Sequence, residues 1–188
     1  MKTIYAFFAA RRYWKDEAQL QAAYTELATL ADGSDHYLIT ENDLITFPAA
    51  DCLVVIPMSG AVQKNILTAA SQYDSVILYG AYIRGNASSY LCERMLYNNA
   101  APTLMDTWAV LHRSLHRTML ALNTSQLMDK LQVLEAFYYV KGARLLKIGE
   151  TEPWVVSNAD NIEAYTERFG VEIVSVAQSE LATLYNVY

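Results

Sequence analysis

Residues 51–60, DCLVVIPMSG, contain the longest clear strand signal in the chain. From Cys52 to Met58 the run carries no charged side chain, and Asp51 and the Ser59–Gly60 pair bound it. A short, continuous apolar run between turn residues is typical of a central strand of a parallel sheet, where helices cover both faces. This segment therefore predicts an α/β protein.

Outward from this run, predicted strands and helices alternate. Such alternation indicates βαβ units with parallel pairing and right-handed crossovers. We predict a doubly wound, flavodoxin-like parallel sheet with five strands before residue 106. These strands are predicted at residues 3–8, 36–40, 52–58, 75–79 and 103–105, and the helices between them at 15–31, from Ser59 onward and from Ser88 to Asn98.

The rest of the chain predicts a second unit. A long helical stretch is expected from Asp106 to Leu122 and, after a break at 123–125, from 126 to 140. Strands at 144–149 and 171–176 follow, with a helix between them at 158–169 that Gly170 ends. We predict a flavodoxin-like domain over residues 1–122. Residues 123–188 would hold a connecting helix and the beginning of a second α/β domain cut at Tyr188; the alternative is that these strands extend the first sheet.

Composition limits the classes of partner. With 14 basic and 20 acidic residues the net charge is −6, which argues against binding to nucleic acid. The apolar stretch at residues 3–10 is too short to span a bilayer and resembles a buried strand more than a signal peptide, so no membrane association is expected. Cys52 and Cys92 both lie in apolar surroundings, which predicts reduced, packed thiols and a cytoplasmic protein.

The loops that follow strands are the candidate ligand sites, because ligands of doubly wound sheets bind beyond the carboxyl ends of the strands. Arg11 and Arg12 follow the first strand, Ser59 the third and Gly80 the fourth, and residues 150–152 follow a strand of the second unit. Ser59 and the N–H groups after it could hold an anion at a helix start, but we expect a plain helix cap. Neither GxGxxG nor GxxxxGK[ST] is present.

No complete catalytic constellation is recognisable in the sequence. His112 and His116 are four residues apart on a predicted helix, a spacing that metal sites use. Arg113 and Arg117 repeat that spacing one position further on and would repel a cation, so no metal site is expected there. Trp108 is expected in the core or at an interface.

Several segments, in this order, resemble the N-terminal region of L-fucose isomerase and L-arabinose isomerase-like proteins. The resemblance covers most of the chain from about Ala50 onward. It rests on residues 50–60, 74–80, 85–89 and 146–149, on Pro153, Trp154 and Asp160, and on residues 169–173 and 180–181.

The resemblance implies a recognition role rather than catalysis by this chain alone. Members of the family interconvert aldoses and ketoses with a divalent metal, usually manganese, held by acidic residues and a histidine in later parts of the full-length protein. None of those ligands can be placed here. The N-terminal domain of the family helps to close a neighbour's site within an oligomer, so we expect sugar recognition and homo-oligomer assembly.

Four residues are the candidates for ligand binding: Arg11, Arg12, Ser59 and Trp108. Arg11, Arg12 and Trp108 are those that we would assign to the closing of a neighbour's site, although no motif match gives them that role. Two other functions stay open. One is a non-enzymatic sugar-binding or regulatory module, and the other is a flavodoxin-like protein that binds a mononucleotide.

Overall fold

The computed structural model describes residues 1–114, 117–150 and 162–185. The chain divides into two compact units, Met1–Leu134 and Glu135–Tyr188. Each unit has its own sheet.

The sheet of the first unit has five parallel strands in the order β2-β1-β3-β4-β5. This order is that of the flavodoxin-like class of doubly wound folds, so the predicted fold class is confirmed. The strands are β1 (Thr3–Ala9), β2 (Asp35–Thr40), β3 (Cys52–Pro57), β4 (Ser75–Tyr79) and β5 (Arg117–Ala121).

Strand β3 is the centre of the sheet, as its apolar run predicts. It pairs with β1 on one side and β4 on the other, and all six of its residues are buried. Leu53 and Val55 belong to the hydrophobic core on one face of the sheet, together with Ile4 and Phe8 of β1. Because neighbouring side chains of a strand point to opposite faces, Val54 and Ile56 fill the other face.

Four α-helices lie within the first unit and cover both faces of its sheet, and a fifth begins in this unit and ends in the second. Ile66 and Leu104, from the second and fourth of them, lie in the core on one face, while Tyr24 of the first packs edge-on against Phe7 at 5.3 Å between ring centroids. In the described residues no helix combines the length and the hydrophobicity needed to cross a bilayer. These helices are α1 (Glu17–Ala28), α2 (Gln63–Ala70), α3 (Ser89–Tyr97), α4 (Ala100–Ser114) and α5 (Thr124–Val140).

Two helix starts show how the local sequence sets the boundaries. The side chain of Asp16 accepts a hydrogen bond from the Gln19 N–H at 2.8 Å and caps α1. The side chain of Ser88 accepts one from the Leu91 N–H at 3.3 Å and caps α3. Both side chains satisfy an N–H group that the first helical turn leaves without a partner.

The prediction of a strand at residues 103–105 is wrong, because these residues lie in α4. Pro102 is compatible with this helix since it falls in the first turn, where an N–H group has no intrahelical acceptor. Thr103 and Thr107 are both buried, and their hydroxyls donate to the carbonyls four residues earlier, at 3.0 and 2.8 Å. The β-branched residues that indicated a strand are therefore accommodated within the helix.

The predicted helix from Asp106 to Leu122 is also wrong in its second half. Helix α4 ends at Ser114, and Arg117–Ala121 forms β5, the fifth strand of the sheet. Each residue of β5 lies opposite one residue of β4, from Ser75 to Tyr79. This pairing satisfies backbone groups on the edge of β4, a tertiary effect that helical periodicity does not report.

The second unit contains a two-stranded parallel sheet of β6 (Arg144–Ile148) and β7 (Glu172–Val176). In the described part of the chain these strands pair only with each other, so they do not extend the five-stranded sheet. Helix α6 (Ile162–Phe169) precedes β7, and α7 (Gln178–Tyr185) follows it. Gly170, with φ +65°, comes directly after α6, as predicted.

Both cysteines are buried free thiols, in agreement with the sequence prediction. Cys52 lies in β3, where burial, with a smaller contribution from the charge of Asp51, raises its pKa to about 12. The Cys92 thiol faces the carbonyl oxygen of Ile83 at 3.3 Å. The Cys52 thiol is therefore protonated and unreactive at neutral pH.

The free energy of unfolding should fall as the pH rises above about 8.5, the usual thiol pKa of an unfolded chain. Above it the unfolded Cys52 loses its proton, whereas the native thiol, with a pKa of about 12, keeps it. One such group lowers stability by at most about 1.4 kcal/mol per pH unit. Urea unfolding between pH 7 and 10 should therefore show a shallower pH slope for Cys52→Ala than for the wild type.

Val54→Ala is the control, because it truncates the same buried strand without removing a titrating group. It should be less stable at every pH and keep the wild-type slope. Equal slopes for the wild type and Cys52→Ala would contradict the assignment.

Candidate functional site

The carboxyl ends of β1 and β3 form the switch point of the sheet. From β1 the chain crosses to β2 on one side, and from β3 it crosses to β4 on the other. In doubly wound folds the loops that leave two such strands diverge, and the crevice at that point is the usual ligand position. The segments at its borders are residues 10–16 and 58–62.

Ser59 joins the two loops. It is fully buried, and its Oγ accepts a hydrogen bond from the Ala10 N–H at 2.7 Å and lies 3.1 Å from the Gly60 carbonyl oxygen. The prediction that Ser59 caps a helix is wrong, since α2 begins at Gln63 after Val62, with no side-chain cap. Ser59 Oγ thus accepts the Ala10 N–H of the β1 loop instead of an N–H group in the first turn of a helix.

Gly60 brings the same loop against the corner between α3 and α4. Its N–H donates to the Asn98 carbonyl oxygen at 2.6 Å. A Cβ atom at this position would lie 3.2 Å from both the Tyr13 hydroxyl and the Asn99 Cβ, tighter than ordinary contact. Because Gly60 has no side chain, the β1 loop, the β3 loop and the junction between α3 and α4 can be in contact here.

Arg11 and Arg12 lie directly after β1 in a short 3₁₀ turn, Arg11–Tyr13, and both are exposed. Arg11 is already paired with Glu17, since its side-chain Nε lies 3.3 Å from Glu17 Oε2. Its backbone N–H donates to Glu41 Oε2 at 2.9 Å.

The guanidinium of Arg12 lies 5.3 Å from the centroid of the Tyr13 ring. In the described part of the chain no carboxylate is within ion-pair distance of Arg12. Arg12 is therefore the more available of the two cations after β1.

Three buried nitrogen donors around these loops lack a hydrogen-bond partner among the described residues: Trp14 Nε1, Arg94 Nε and Asn98 Nδ2. The Trp14 side chain is in the core, but its polar atom is unsatisfied. The sequence pattern did not single out Arg94 and Asn98, because Arg94 reads as an ordinary polar residue of α3 and Asn98 as the end of that helix. Only the folded chain shows that their donors are buried.

A cleft of about 220 Å³ opens on α3 beside this cluster. One of its walls is fixed by α1, whose Gln19 Nε2 donates to the Tyr90 hydroxyl at 2.9 Å. The Glu93 carboxylate lies 3.7 Å from Arg84 Nη2. The residues that line the cleft are Tyr90, Glu93, Arg94 and Tyr97.

Trp108 is not brought to this crevice. It packs against the core from α4 and stacks on His112, with 4.6 Å between ring centroids. Helix α4 begins at Ala100, next to the crevice, and Trp108 lies eight residues further on, about 12 Å along the helix axis. His116 is outside the described residues, so the predicted pair with His112 cannot be located.

The other predicted loops contribute less. The carbonyl oxygen of Gly80 accepts a hydrogen bond from Asn86 Nδ2 at 2.9 Å, which closes the loop after β4. Glu150 lies in the second unit, 3.0 Å from Lys147 Nζ, and residues 151 and 152 are outside the described residues. Over residues 1–114, 117–150 and 162–185, no three His, Cys, Asp or Glu side chains come together as metal ligands would.

Ser59→Ala should lower the free energy of unfolding by about 1–3 kcal/mol, because it leaves the buried Ala10 N–H without its acceptor. The matched control is Ser71→Ala. Ser71 directly follows α2, is exposed, and its hydroxyl donates to the Thr68 carbonyl oxygen. The control should change stability by less than about 0.5 kcal/mol. Equal losses in urea unfolding would show that the hydrogen bond between the loops does not hold the crevice together.

Comparison with known proteins adds no assignment to this geometry. Neither the scan against protein-family models nor the search of curated proteins gives a match for this chain.

Proposed function

We propose that the first unit binds a sugar in the crevice between the β1 and β3 loops. This is the role of an N-terminal domain in a sugar (aldose–ketose) isomerase-like protein: it contributes sugar recognition and oligomer assembly and is not catalytic alone. The sequence resemblance to L-fucose and L-arabinose isomerase-like proteins is the source of the sugar assignment. The strand order and the two loops at the switch point support this location for the proposed site.

The observation that carries the proposal is the hydrogen bond between Ser59 Oγ and the Ala10 N–H at the switch point. It fixes the two loops that border the crevice before any ligand arrives. Binding to preformed loops avoids part of the entropic cost of ordering them. The same strand order also places the crevice where ligands of doubly wound sheets bind.

The polar groups at the crevice suit a molecule rich in oxygen. Arg12 offers guanidinium donors that no described carboxylate neutralises. The Tyr13 ring packs against the hydrophobic core and holds this guanidinium 5.3 Å from its centroid. A cation next to an aromatic ring thus supports sugar recognition at the β1 loop.

The proposal assigns binding, and not turnover, to this unit. The described residues do not contain a cluster of three acidic or histidine ligands, so they do not fit the divalent metal, usually manganese, that the resemblance implies. Aldose–ketose conversion would have to draw on other residues.

Assembly into a homo-oligomer is the second part of the proposal. It is supported by large hydrophobic side chains of α3 and α4 that are about half or more exposed in the single chain. Exposed apolar side chains of this kind are what an interface between subunits would cover. They are Leu96, Met105 and Val110.

Calorimetric titration of the 188-residue chain with a panel of neutral aldoses should detect binding without added metal. Arg12→Gln should weaken binding about three- to tenfold, because it removes charged donors at the crevice. Arg113→Gln is the matched control, since this exposed arginine lies in the last turn of α4, next to the opposite edge of the sheet where β5 begins. It should bind as the wild type does.

The same protein should form no ketose from any of these aldoses when manganese is added. Ketose formation would contradict the assignment of binding alone, and the absence of binding to every sugar would overturn the sugar assignment. A bound flavin in the purified protein, seen in its visible absorbance, would instead favour the mononucleotide alternative.

A further inference from the structure

The three unsatisfied donors next to the β1 and β3 loops require an explanation. A buried donor without a partner destabilises the folded state, and native proteins contain few of them. Here Trp14 is 7% exposed and Asn98 is 3% exposed, and the unpartnered atoms of these two residues and of Arg94 are all buried. Several such groups in one region suggest a ligand that satisfies them.

Contacts between the β1 loop, the β3 loop and α3 bring the segments that carry the three residues together. Arg94 Nη2 donates to the carbonyl oxygen of Tyr13, the residue before Trp14, at 3.1 Å. The carbonyl oxygen of Asn98 accepts the Gly60 N–H at 2.6 Å. Since a Cβ on Gly60 would lie 3.2 Å from the Tyr13 hydroxyl, the β1 loop, the β3 loop and α3 are in contact around these side chains. The cluster therefore belongs to the crevice that the proposed function uses.

All three unpartnered atoms are hydrogen-bond donors. An indole N–H, a guanidinium N–H and an amide NH₂ group only donate hydrogen bonds. Arg94 also carries a positive charge, and no carboxylate in the described ranges lies within ion-pair distance of it. A ligand that matches these groups must accept hydrogen bonds and carry negative charge, which is the description of an oxyanion.

The cleft on α3 gives a route to this cluster. Its volume of about 220 Å³ would hold part of a small ligand, and Arg94 is one of its lining residues. Tyr90 and Tyr97 stay 65% and 85% exposed at its border, so their rings are free to pack against a ligand. The one acidic residue of the lining, Glu93, faces Arg84 at 3.7 Å, which offsets its repulsion of an anion.

We propose that Trp14, Arg94 and Asn98 bind the oxyanion group of a sugar derivative, either a phosphate or a carboxylate. The ligand of the crevice is then a sugar phosphate or a sugar acid. The oxyanion lies at the α3 side of the crevice, and the hydroxyl groups extend toward Arg12. The inference rests on the proposed function for the sugar part of the ligand, but the oxyanion part rests on the donors alone.

Four ligands titrated into the full chain by calorimetry separate the two parts. They are a neutral aldose, the corresponding aldose phosphate, the corresponding aldonic acid and inorganic phosphate. One of the two charged sugars should bind at least tenfold more tightly than the neutral aldose, a difference of about 1.4 kcal/mol. The phosphate and carboxylate arms identify which oxyanion the cluster prefers.

Trp14→Phe is the decisive variant, because it keeps an aromatic ring in the core and removes the indole N–H donor together with one ring of the indole. It should bind the preferred charged sugar about tenfold more weakly and leave the affinity for the neutral aldose unchanged. Arg94→Met should lose more, although it also removes the hydrogen bond to Tyr13. Arg113→Met is the matched control, since Arg113 is an exposed arginine in the last turn of α4, and it should lose less than threefold.

The possible outcomes distinguish the two proposals. If the neutral aldose binds as tightly as both charged sugars, or if Trp14→Phe binds the preferred charged sugar as the wild type does, the oxyanion inference is overturned and sugar binding stands. If inorganic phosphate binds in a manner sensitive to Trp14→Phe while no sugar binds, the donor cluster is an oxyanion site and the sugar function is overturned. If none of the four ligands binds, both proposals fail.

Discussion

The burial of β3 on both faces is the constraint on which the rest of the structure depends. An extended strand without charged side chains can be buried only if neighbours on both edges satisfy its backbone groups. Strand β1 supplies one edge and β4 the other. Since all three strands run parallel, helices must connect them across the faces, and these helices cover Leu53 and Val55. The apolar run therefore determines both the layers of the unit and its topology.

The position of the crevice follows from the same pairing. Because β1 is paired with β2 on its outer edge and with β3 on its inner edge, the loops after β1 and β3 leave the sheet in opposite directions. The divergence alone would leave two mobile loops. The buried Ser59 hydroxyl connects them through the Ala10 N–H, and Gly60 attaches them to the end of α3. The crevice is thus part of the folded core, and ligand binding is linked to its stability.

The sequence predicted the fold where local pattern and tertiary environment agree. Strands β1, β3 and β4 are buried on both faces, so their apolar runs are unambiguous, and Ser88 is an ordinary helix cap at the start of α3.

Prediction failed where a tertiary contact decided the outcome. Residues 117–121 form an edge strand because β4 offers a free edge, although an amphipathic helix fits the same residues. Ser59 looks like a cap, but its oxygen is used by a backbone group 49 residues away.

The candidate site was less predictable than the fold, for a related reason. Arg12 was found because it directly follows a predicted strand, a position that the sequence reports. Trp14, Arg94 and Asn98 come from the β1 loop and from α3, separated by about eighty residues, and no spacing connects them. What marks them is the burial of donor atoms without acceptors, which exists only after folding. A sequence pattern can locate a strand end, but it cannot show which polar atoms the fold leaves unsatisfied.

Because all three unpartnered atoms are donors, they should distinguish an oxyanion from a neutral sugar. A sugar hydroxyl both donates and accepts hydrogen bonds, so a site for neutral sugars alone would be expected to offer acceptors as well as donors. An oxyanion only accepts, and it matches a set of donors that includes a guanidinium. In a protein of net charge −6, an unpaired Arg94 at the crevice opposes the general repulsion of anions locally. In the proposed site a neutral sugar would leave that charge without a counter-ion, so the cluster would favour a charged sugar derivative over a neutral one.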